Sequence, residues 1–252
     1  MTKILLTGCN GRMGKVITEL ASADPEVCII AGVDVAGTCM GSYPVYAGFD
    51  EVKEKPDVIV DFSSPKAFDA MMDYALFSHA AAVICTTGLS EEQILRISAD
   101  AKKVALLRSA NMSLGVNLLL KLVKEAARRL APEGYDIEIV ERHHNQKKDA
   151  PSGTALALAE SINEGLDGAY RFTYDRSQRM EKRDPKEIGI SAVRGGNIPG
   201  THEVIFAGQD EVIEFNHTAY SRSIFGKGAL AAAKYLAGKP AGFYSMADVI
   251  GS

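Results

Sequence analysis

The sequence predicts an α/β protein with a doubly wound parallel sheet and an inserted α+β domain that contains a mixed sheet. Three observations lead to this fold class. Short apolar runs alternate with helix-like stretches as far as Leu107, and a glycine-rich turn joins the first run to the first helix. The alternation stops near Ser113, where a long helix and several consecutive strands begin, and it resumes near Thr218. We therefore predict one domain from residues 1–113 plus 218–252 and an inserted domain from residues 114–217.

Five apolar runs in the N-terminal half are typical of strands that are buried on both faces of a parallel sheet. They span residues 3–7, 27–33, 57–62, 81–86 and 104–107. Helices separate them. Pro65 suits the first turn of one helix, and Ser90 with Gln93 fits a capping box at the start of another.

The inserted domain begins with an amphipathic helix over residues 114–130. The pattern then predicts a strand at 135–140, a helix at 155–166, a polar loop at 167–186 and strands at 188–193, 203–207 and 212–218. Because short links join the last strands, we expect a mixed or antiparallel sheet. An alanine-rich helix over residues 222–236 returns to the first domain.

The composition argues against several classes of protein. The 252 residues include 28 basic and 32 acidic side chains, so the net charge of −4 predicts no general affinity for nucleic acid or an anionic membrane. No apolar run approaches the roughly 20 residues of a membrane span. The four cysteines form no C-x-x-C pair, and no Cys/His cluster has metal-ligand spacing. We predict reduced thiols, no metal and a cytoplasmic location.

The glycine-rich turn predicts a Rossmann-type dinucleotide site. Gly8, Gly11 and Gly14 lie between a strand and a helix, and Asp34 ends the second strand about 20 residues further on. Such glycines permit a tight turn and let the backbone approach a pyrophosphate at the helix N-terminus. Because the pattern alone is weak evidence, a glycine-rich turn without a ligand is the alternative.

Ligands of a doubly wound sheet lie outside the carboxyl ends of its strands, so the residues that follow the predicted strands are candidates. The predicted cofactor-binding residues are Gly8, Cys9, Asn10, Gly11, Arg12, Met13, Asp34, Phe62, Cys85, Thr86, Thr87, Ser109, Ala110, Asn111 and Met112. Asp34 favours the free ribose hydroxyls of NADH, and Val35 stands where a 2′-phosphate would favour arginine. We predict NADH or NADPH, with NADH at least as good; Arg12 could partly serve NADPH.

The stretch from Glu141 to Thr154, ERHHNQKKDAPSGT, joins a strand to a helix and carries a dense set of reactive groups. Histidine exchanges protons near neutral pH, and the N–H groups at a helix start can hold a carboxylate. Ser152 is the expected N-cap. The candidate site residues are His143, His144, Lys147, Gly153 and Thr154. Structural or solvated histidines on a polar loop are the alternative.

Taken with the glycine loop, these stretches resemble dihydrodipicolinate reductases, enzymes of bacterial lysine and diaminopimelate synthesis. The resemblance covers nearly the whole chain, and the block from His143 to Thr154 is its most specific part. Further matches are residues 61–63, 86–88, 110–117, 194–196 and 199–202. The resemblance implies that residues 1–113 plus 218–252 bind the dinucleotide and that residues 114–217 bind the substrate and form a homotetramer through their sheet.

The resemblance also implies the reaction and the roles of the loop. NADH or NADPH would reduce 4-hydroxy-tetrahydrodipicolinate, a small cyclic dicarboxylate, to tetrahydrodipicolinate. His143 matches the general acid/base position and His144 a substrate-contacting position. Lys147 matches the residue assigned as proton donor, and it could also bind a carboxylate; the sequence does not separate these roles. Gly153 and Thr154 would hold a carboxylate.

Two other functions would account for part of this pattern. Another small-substrate dehydrogenase would explain the glycine loop but not the histidine, lysine and Ser-Gly-Thr arrangement. A non-enzymatic NADH-sensing protein would need a DNA-binding region such as a basic helix-turn-helix, and the sequence shows none.

Overall fold

The computed structural model describes residues 1–37, 42–109 and 111–251, so Ala110 of the predicted cofactor site lies outside the described residues. The chain divides into two compact units. The first contains Met1–Leu114 and Arg222–Ser252, and the second contains Gly115–Ser221. These divisions lie close to the boundaries expected near residues 113 and 218. The functions assigned to the two domains stay predictions.

Twelve strands and seven α-helices occur in the described residues. In chain order they are β1 (Thr2–Thr7), α1 (Arg12–Ser22), β2 (Val27–Val33), β3 (Val45–Tyr46), β4 (Val58–Asp61), α2 (Pro65–Ser78), β5 (Ala81–Ile84), α3 (Glu91–Asp100), β6 (Ala105–Arg108), α4 (Leu114–Leu130), β7 (Asp136–His143), α5 (Gly153–Gly165), β8 (Arg171–Thr173), β9 (Glu187–Arg194), β10 (Gly200–Ala207), β11 (Val212–Ala219), α6 (Ser223–Leu236), β12 (Gly242–Tyr244) and α7 (Met246–Val249).

The first unit is built on a parallel sheet with the strand order β12-β6-β5-β4-β1-β2-β3. Alternate residues of β1 bury opposite faces: Ile4 and Leu6 pack in a cluster with Ile17 of α1, whereas Leu5 packs in another cluster with Phe68 of α2. Burial on both faces explains why the strands read as continuous apolar runs. The α/β prediction is confirmed. The pattern missed β3, β12 and α7, which are too short to show a periodicity.

The second unit contains a mixed sheet with the order β11-β10-β7-β9-β8. β7 pairs in parallel with β9 and antiparallel with β10, so it separates two strands that are consecutive in the sequence. One face of the sheet packs on α4 and α5, where Ile139, Val123 and Leu158 share a core. The predicted mixed sheet with an adjoining helical layer is confirmed.

Two local expectations in this unit were wrong. β7 does not end at Val140 but continues to His143, because Glu141 and His143 prolong its pairing with β9. The loop expected at 167–186 contains β8, a three-residue strand that pairs with β9 and is too short to be seen as a periodic pattern. Within the described ranges, no helix is long and apolar enough to cross a membrane.

Candidate active site

The predicted cofactor residues lie at one edge of the first sheet, because its strands are parallel and each residue follows a strand. They are Gly8, Cys9, Asn10, Gly11, Arg12 and Met13 after β1, Asp34 after β2, Phe62 after β4, Cys85, Thr86 and Thr87 after β5, and Ser109, Asn111 and Met112 after β6. β1 lies between β2 and β4, so chain order reverses beside the glycine loop. Crevices of this kind bind ligands in open α/β sheets.

The glycine loop turns tightly against the end of β4. Gly8 has a φ of +68°, and a Cβ atom at this position would lie 2.4 Å from the carbonyl oxygen of Phe62. A Cβ on Gly14 would lie 2.3 Å from the carbonyl oxygen of Cys9. The glycines are therefore required by a left-handed backbone and by close helix–strand packing, as the sequence predicts.

Asp34 anchors this loop. Its carboxylate accepts hydrogen bonds from the backbone N–H of Asn10 at 3.1 Å and of Ala36 at 3.2 Å. The carboxylate consequently lies beside the glycine turn, where it can also accept from a ribose hydroxyl.

Two buried polar atoms at neighbouring strand ends lack a partner. They are Oδ2 of Asp61, whose side chain is fully buried, and Oγ1 of Thr86, which is 6% exposed. Oδ1 of Asp61 accepts hydrogen bonds from Thr7 at 2.5 Å and from Ser63 at 2.6 Å. Buried polar groups are usually paired, so these two atoms suit the polar groups of a ligand. Burial and the nearby Asp61 raise the pKa of the Cys85 thiol, which keeps it protonated.

A cavity of about 1020 Å³ opens beside the glycine loop. Gly8, Gly11 and Asp34 line it together with residues of α2. The charged residues of its described lining are Asp34, Asp50, Asp73 and Lys66. The cavity, the glycine turn and the unpaired polar atoms together fit a nicotinamide dinucleotide.

In the second unit, the candidate site is organised around a buried carboxylate. Glu141 is fully buried, and its two oxygens accept hydrogen bonds from both terminal nitrogens of Arg194, each at 2.7 Å. Oε2 also lies 2.6 Å from Nδ1 of His143, and Oε1 accepts from the backbone N–H of Ser152 at 2.9 Å. Strand pairing creates this arrangement, because β9 places Arg194 opposite His143.

The charges of this cluster follow from its hydrogen bonds. Burial raises the pKa of Glu141, but hydrogen bonds from Arg194, His143 and Ser152 and the charge of Arg194 outweigh burial, so the pKa lies below its ordinary value. Burial lowers the pKa of His143, aided by Lys147 and Arg194, and Glu141 offsets this only in part. At neutral pH we expect an ionised Glu141 and a neutral His143 whose Nδ1–H donates to it, which leaves Nε2 as an acceptor.

Two further histidines extend the cluster across β10 and β11. His202 lies opposite Glu141 and His217 in the strand pairing, and its ring centroid is 5.1 Å from that of His143. Its Nε2 is 2.8 Å from Oγ of Ser152, which accepts from the N–H of Ala155 as the N-cap of α5. Burial lowers the pKa of His202 to about 4, so this ring is neutral. The predicted Ser152 cap is present.

The segment after β7 is held by the turn between β9 and β10. The N–H of Gly195 donates to the carbonyl of His143 at 3.0 Å, and the N–H of Asn145 donates to the carbonyl of Gly196 at 3.1 Å. His144 is half-buried, and its carbonyl accepts from the N–H of Lys147 at 3.2 Å. The candidate residues therefore lie on a backbone that is fixed at several points.

Lys147 and the start of α5 are linked by Asp149. Nζ of Lys147 lies 2.9 Å from Oδ2 of Asp149. Lys147 lowers the pKa of Asp149, and the backbone N–H of Gly153 contributes in the same direction. Gly153 and Thr154 are the first two residues of α5. The Asp149 carboxylate therefore engages Lys147 and the N–H of Gly153, two of the groups that the sequence predicts to bind a substrate carboxylate.

Sequence reasoning missed the roles of Glu141, Arg194 and His202. In the sequence, Arg194 and His202 lie in stretches that resemble the family without a predicted role, and Glu141 only begins the loop. A signal existed for Glu141, since Ile137 and Ile139 alternate with it on one strand face and the pattern places a charged residue at a core position. Among the described residues, no group of three or more His, Cys, Asp or Glu side chains is arranged to hold a metal ion.

Family comparisons agree with both halves of the structure. Models of the N-terminal and C-terminal parts of dihydrodipicolinate reductase match residues 2–112 and 115–250. The chain belongs to the dihydrodipicolinate reductase family. The predicted family is thus confirmed, and the protein is an oxidoreductase.

Relatives within the dihydrodipicolinate reductase family match along the whole chain. A 4-hydroxy-tetrahydrodipicolinate reductase of Caldanaerobacter subterraneus subsp. tengcongensis is 51% identical over 250 residues, which cover 99% of this chain and 98% of the relative. Another, from Clostridium novyi, is 46% identical over 252 residues, which cover 100% of this chain and 99% of the relative. A dipicolinate-bound dihydrodipicolinate reductase from Paenisporosarcina sp. TG-14 has the same fold, with a TM-score of 0.82 at 23% identity over 97% of both chains.

Proposed function

We propose that the protein is an NADH- or NADPH-dependent 4-hydroxy-tetrahydrodipicolinate reductase of lysine and diaminopimelate synthesis. The 4-hydroxyl group leaves as water, so the products are tetrahydrodipicolinate, water and the oxidised cofactor. The observation that carries the proposal is the clustering of His143, Lys147 and the N-terminus of α5 within one fixed segment of a family member. The relative with bound dipicolinate supports a small cyclic dicarboxylate as the substrate class.

The proposed roles divide between the two units. When bound, a nicotinamide cofactor supplies a hydride to the substrate ring, and the glycine loop, Asp34 and the ends of β4 to β6 would hold it. The N–H groups of Gly153 and Thr154 hold one substrate carboxylate. Lys147 exchanges Asp149 for a substrate carboxylate, and His144 contacts the substrate. His143 delivers a proton from Nε2, while its Nδ1–H keeps its hydrogen bond to Glu141.

Protonation of His143 needs help from the substrate. In the free protein its pKa lies below the ordinary value, chiefly because the ring is buried. Two bound carboxylates add negative charge nearby, and an opposite charge favours the protonated ring. Substrate binding therefore favours the protonated form of His143, which is the proposed proton donor.

The proposed activity is tested by NADH oxidation in the presence of the condensation product of pyruvate and aspartate semialdehyde. We expect oxidation that depends on this substrate. Bound cofactor without substrate-dependent oxidation would favour a different small-substrate dehydrogenase.

Lys147→Ala should raise KM for the substrate about tenfold or more and should also lower kcat. A charge-assisted hydrogen bond contributes roughly 1.5–3 kcal/mol, which corresponds to that change. Lys148 is an exposed neighbouring cation, so Lys148→Ala is the matched control. Its steady-state kinetics should resemble those of the unchanged protein. An unchanged KM in Lys147→Ala would argue against the carboxylate contact and leave proton donation as the role of this lysine.

We propose that NADH is at least as good a cofactor as NADPH. Among the described residues, three carboxylates but one ammonium line the cavity, and Val35 is 94% exposed beside Asp34. A 2′-phosphate would meet repulsion there, and among the described residues no arginine lines the cavity; Arg12, which could partly serve NADPH, lies outside that lining. At equal ionic strength, kcat/KM for NADH should equal or exceed that for NADPH.

Val35→Arg should raise kcat/KM for NADPH by about tenfold, because Arg binds phosphate through charge-assisted hydrogen bonds. Val35→Gln introduces a long polar side chain without the charge, and it should leave the ratio of kcat/KM for NADPH to kcat/KM for NADH unchanged. A strong NADPH preference of the unchanged protein would contradict the assignment.

We further propose a homotetramer that forms through the sheet of the second unit. β11 is an edge strand, and Val193 and Val212 are 42% and 56% exposed. Sedimentation equilibrium should give about four times the chain mass of 27.0 kDa. We also propose a cytoplasmic location, supported by the absence of disulfide bonds at Cys9, Cys28 and Cys85 in the described part of the chain.

A further inference from the structure

Glu141 is an ionised group in a position that a strand normally gives to the core. Its side chain is fully buried on the face of β7 that also carries Ile137 and Ile139. Burying a carboxylate costs several kcal/mol unless the charge is paired and its lone pairs are used. Glu141 meets this condition through four hydrogen bonds, two from Arg194 and one each from His143 and Ser152. A carboxylate offers about four acceptor sites, so this one is saturated.

The partners of Glu141 come from three separate elements. His143 ends β7, Arg194 ends β9, and Ser152 is the N-cap of α5. Glu141 thus joins the proton-exchanging ring to the helix start that binds a carboxylate in the proposed function. Arg194 also donates to the backbone carbonyl of Asp149 at 2.5 Å, which ties the intervening loop to the same carboxylate.

We infer that Glu141, held by Arg194, is a positioning residue that keeps the proton of His143 on Nδ1 and so makes Nε2 the atom that exchanges protons with the substrate. This inference rests on the proposed function. Gly200 leaves space at Nε2, since a Cβ on that residue would lie 3.0 Å from it. The Glu141 carboxylate cannot donate, so a neutral His143 must carry its proton on Nδ1 and donate a hydrogen bond from there to Glu141.

Glu141 also sets the charge balance around the ring. The charged or titratable groups that act on His143 or pack against it are Glu141, Arg194, Lys147 and His202. The ring of His217 packs against His202, with 6.3 Å between the two ring centroids. Glu141 carries the negative charge among them. Without it, two cations would act on His143 and oppose its protonation.

The first test is Glu141→Gln, which keeps the size of the side chain but removes the charge. Nitrogen-15 NMR of the imidazoles should show Nδ1–H on neutral His143 in the unchanged protein. In the variant it should show a mixed or reversed tautomer, and the pKa of His143 should be lower than in the unchanged protein because the neighbouring negative charge is gone. kcat should fall by about 10²-fold or more, as in other enzymes whose histidine loses its orienting carboxylate. The falling limb of the kcat profile should move to lower pH, because the protonated ring is the active form.

Glu203→Gln is the matched control. Glu203 lies on the neighbouring strand β10 and pairs with Arg142 at 2.7 Å, so this change removes an ion pair of the same sheet without touching His143. Its kinetics, pH profile and His143 tautomer should stay unchanged. An Nε2–H tautomer of His143 in the unchanged protein would overturn the inference without any variant, and so would normal kinetics of Glu141→Gln.

A second variant addresses folding. Glu141→Gln leaves the Arg194 guanidinium without its anionic partner, which can destabilise the fold. Glu141→Gln with Arg194→Met removes both charges, and its fold is checked by circular dichroism. The loss of kcat should persist in this double variant; recovery would show that an unpaired arginine, and not the loss of positioning, caused the defect. If the unchanged protein fails to reduce the proposed substrate, the proposed function fails, whereas the NMR experiment still decides the tautomer.

Discussion

His143→Gln is expected to lower kcat by about 10²–10⁴-fold while NADH still binds, because a general acid typically contributes this factor. Glutamine can still accept or donate hydrogen bonds, but it does not exchange a proton near neutral pH. The Nδ1 atom of His143 lies 2.6 Å from the fully buried carboxylate of Glu141. This contact orients the ring so that Nε2 can exchange a proton, which glutamine cannot do. Steady-state kinetics and fluorescence titration with NADH measure the two quantities separately.

The pH dependence offers an internal check on this prediction. The kcat/KM profile reports the free protein, in which burial lowers the pKa of His143, and the kcat profile reports the substrate complex. Since two substrate carboxylates favour the protonated ring, the falling limb should lie at higher pH in kcat than in kcat/KM. Both limbs should vanish in His143→Gln.

The control for His143 is His79→Asn. His79 is exposed at the end of α2 with a φ of +54°, a conformation that asparagine tolerates, so the protein should keep its activity. Near-normal kcat in His143→Gln would remove the proton-transfer role and favour Lys147 as the donor.

Gly8→Ala is expected to reduce the free energy of unfolding by about 2–5 kcal/mol and to weaken NADH binding severely. The new Cβ would combine left-handed strain of roughly 1–2 kcal/mol with overpacking against backbone, which costs roughly 1–3 kcal/mol. The clashing atom is the carbonyl oxygen of Phe62 at 2.4 Å, which cannot rotate away as a flexible side chain would. Any relaxation must move the glycine loop or the end of β4, and both belong to the proposed cofactor site.

Gly238→Ala separates strain from collision. Gly238 has a φ of +78° in the same unit, but a Cβ there would meet nothing within 4 Å. In this variant the free energy of unfolding should fall by about 1 kcal/mol, and the affinity for NADH should stay unchanged. Denaturant unfolding and NADH titration of both variants give the comparison. Equal losses would mean that backbone conformation alone requires the glycine at position 8.

Local features of the fold were readable from the sequence because they depend on neighbouring residues. The amphipathic pattern predicted α4 with the bounds that the structure has, and the capping box of Ser90 and Gln93 is present. The strand–glycine–helix order placed the cofactor candidates at one sheet edge, since parallel strands share the direction of their carboxyl ends.

The sequence by itself determined the family, the α/β fold with its inserted mixed sheet, and the segment that carries His143, Lys147 and the start of α5. Only the tertiary structure decided what His143 is paired with. β7 lies between β9 and β10, and this pairing brings Arg194 to Glu141 across 53 residues and His202 to Ser152 across 50. Such contacts depend on which strands become neighbours, and the alternation of apolar residues states which face of a strand is buried but not which strand lies beside it.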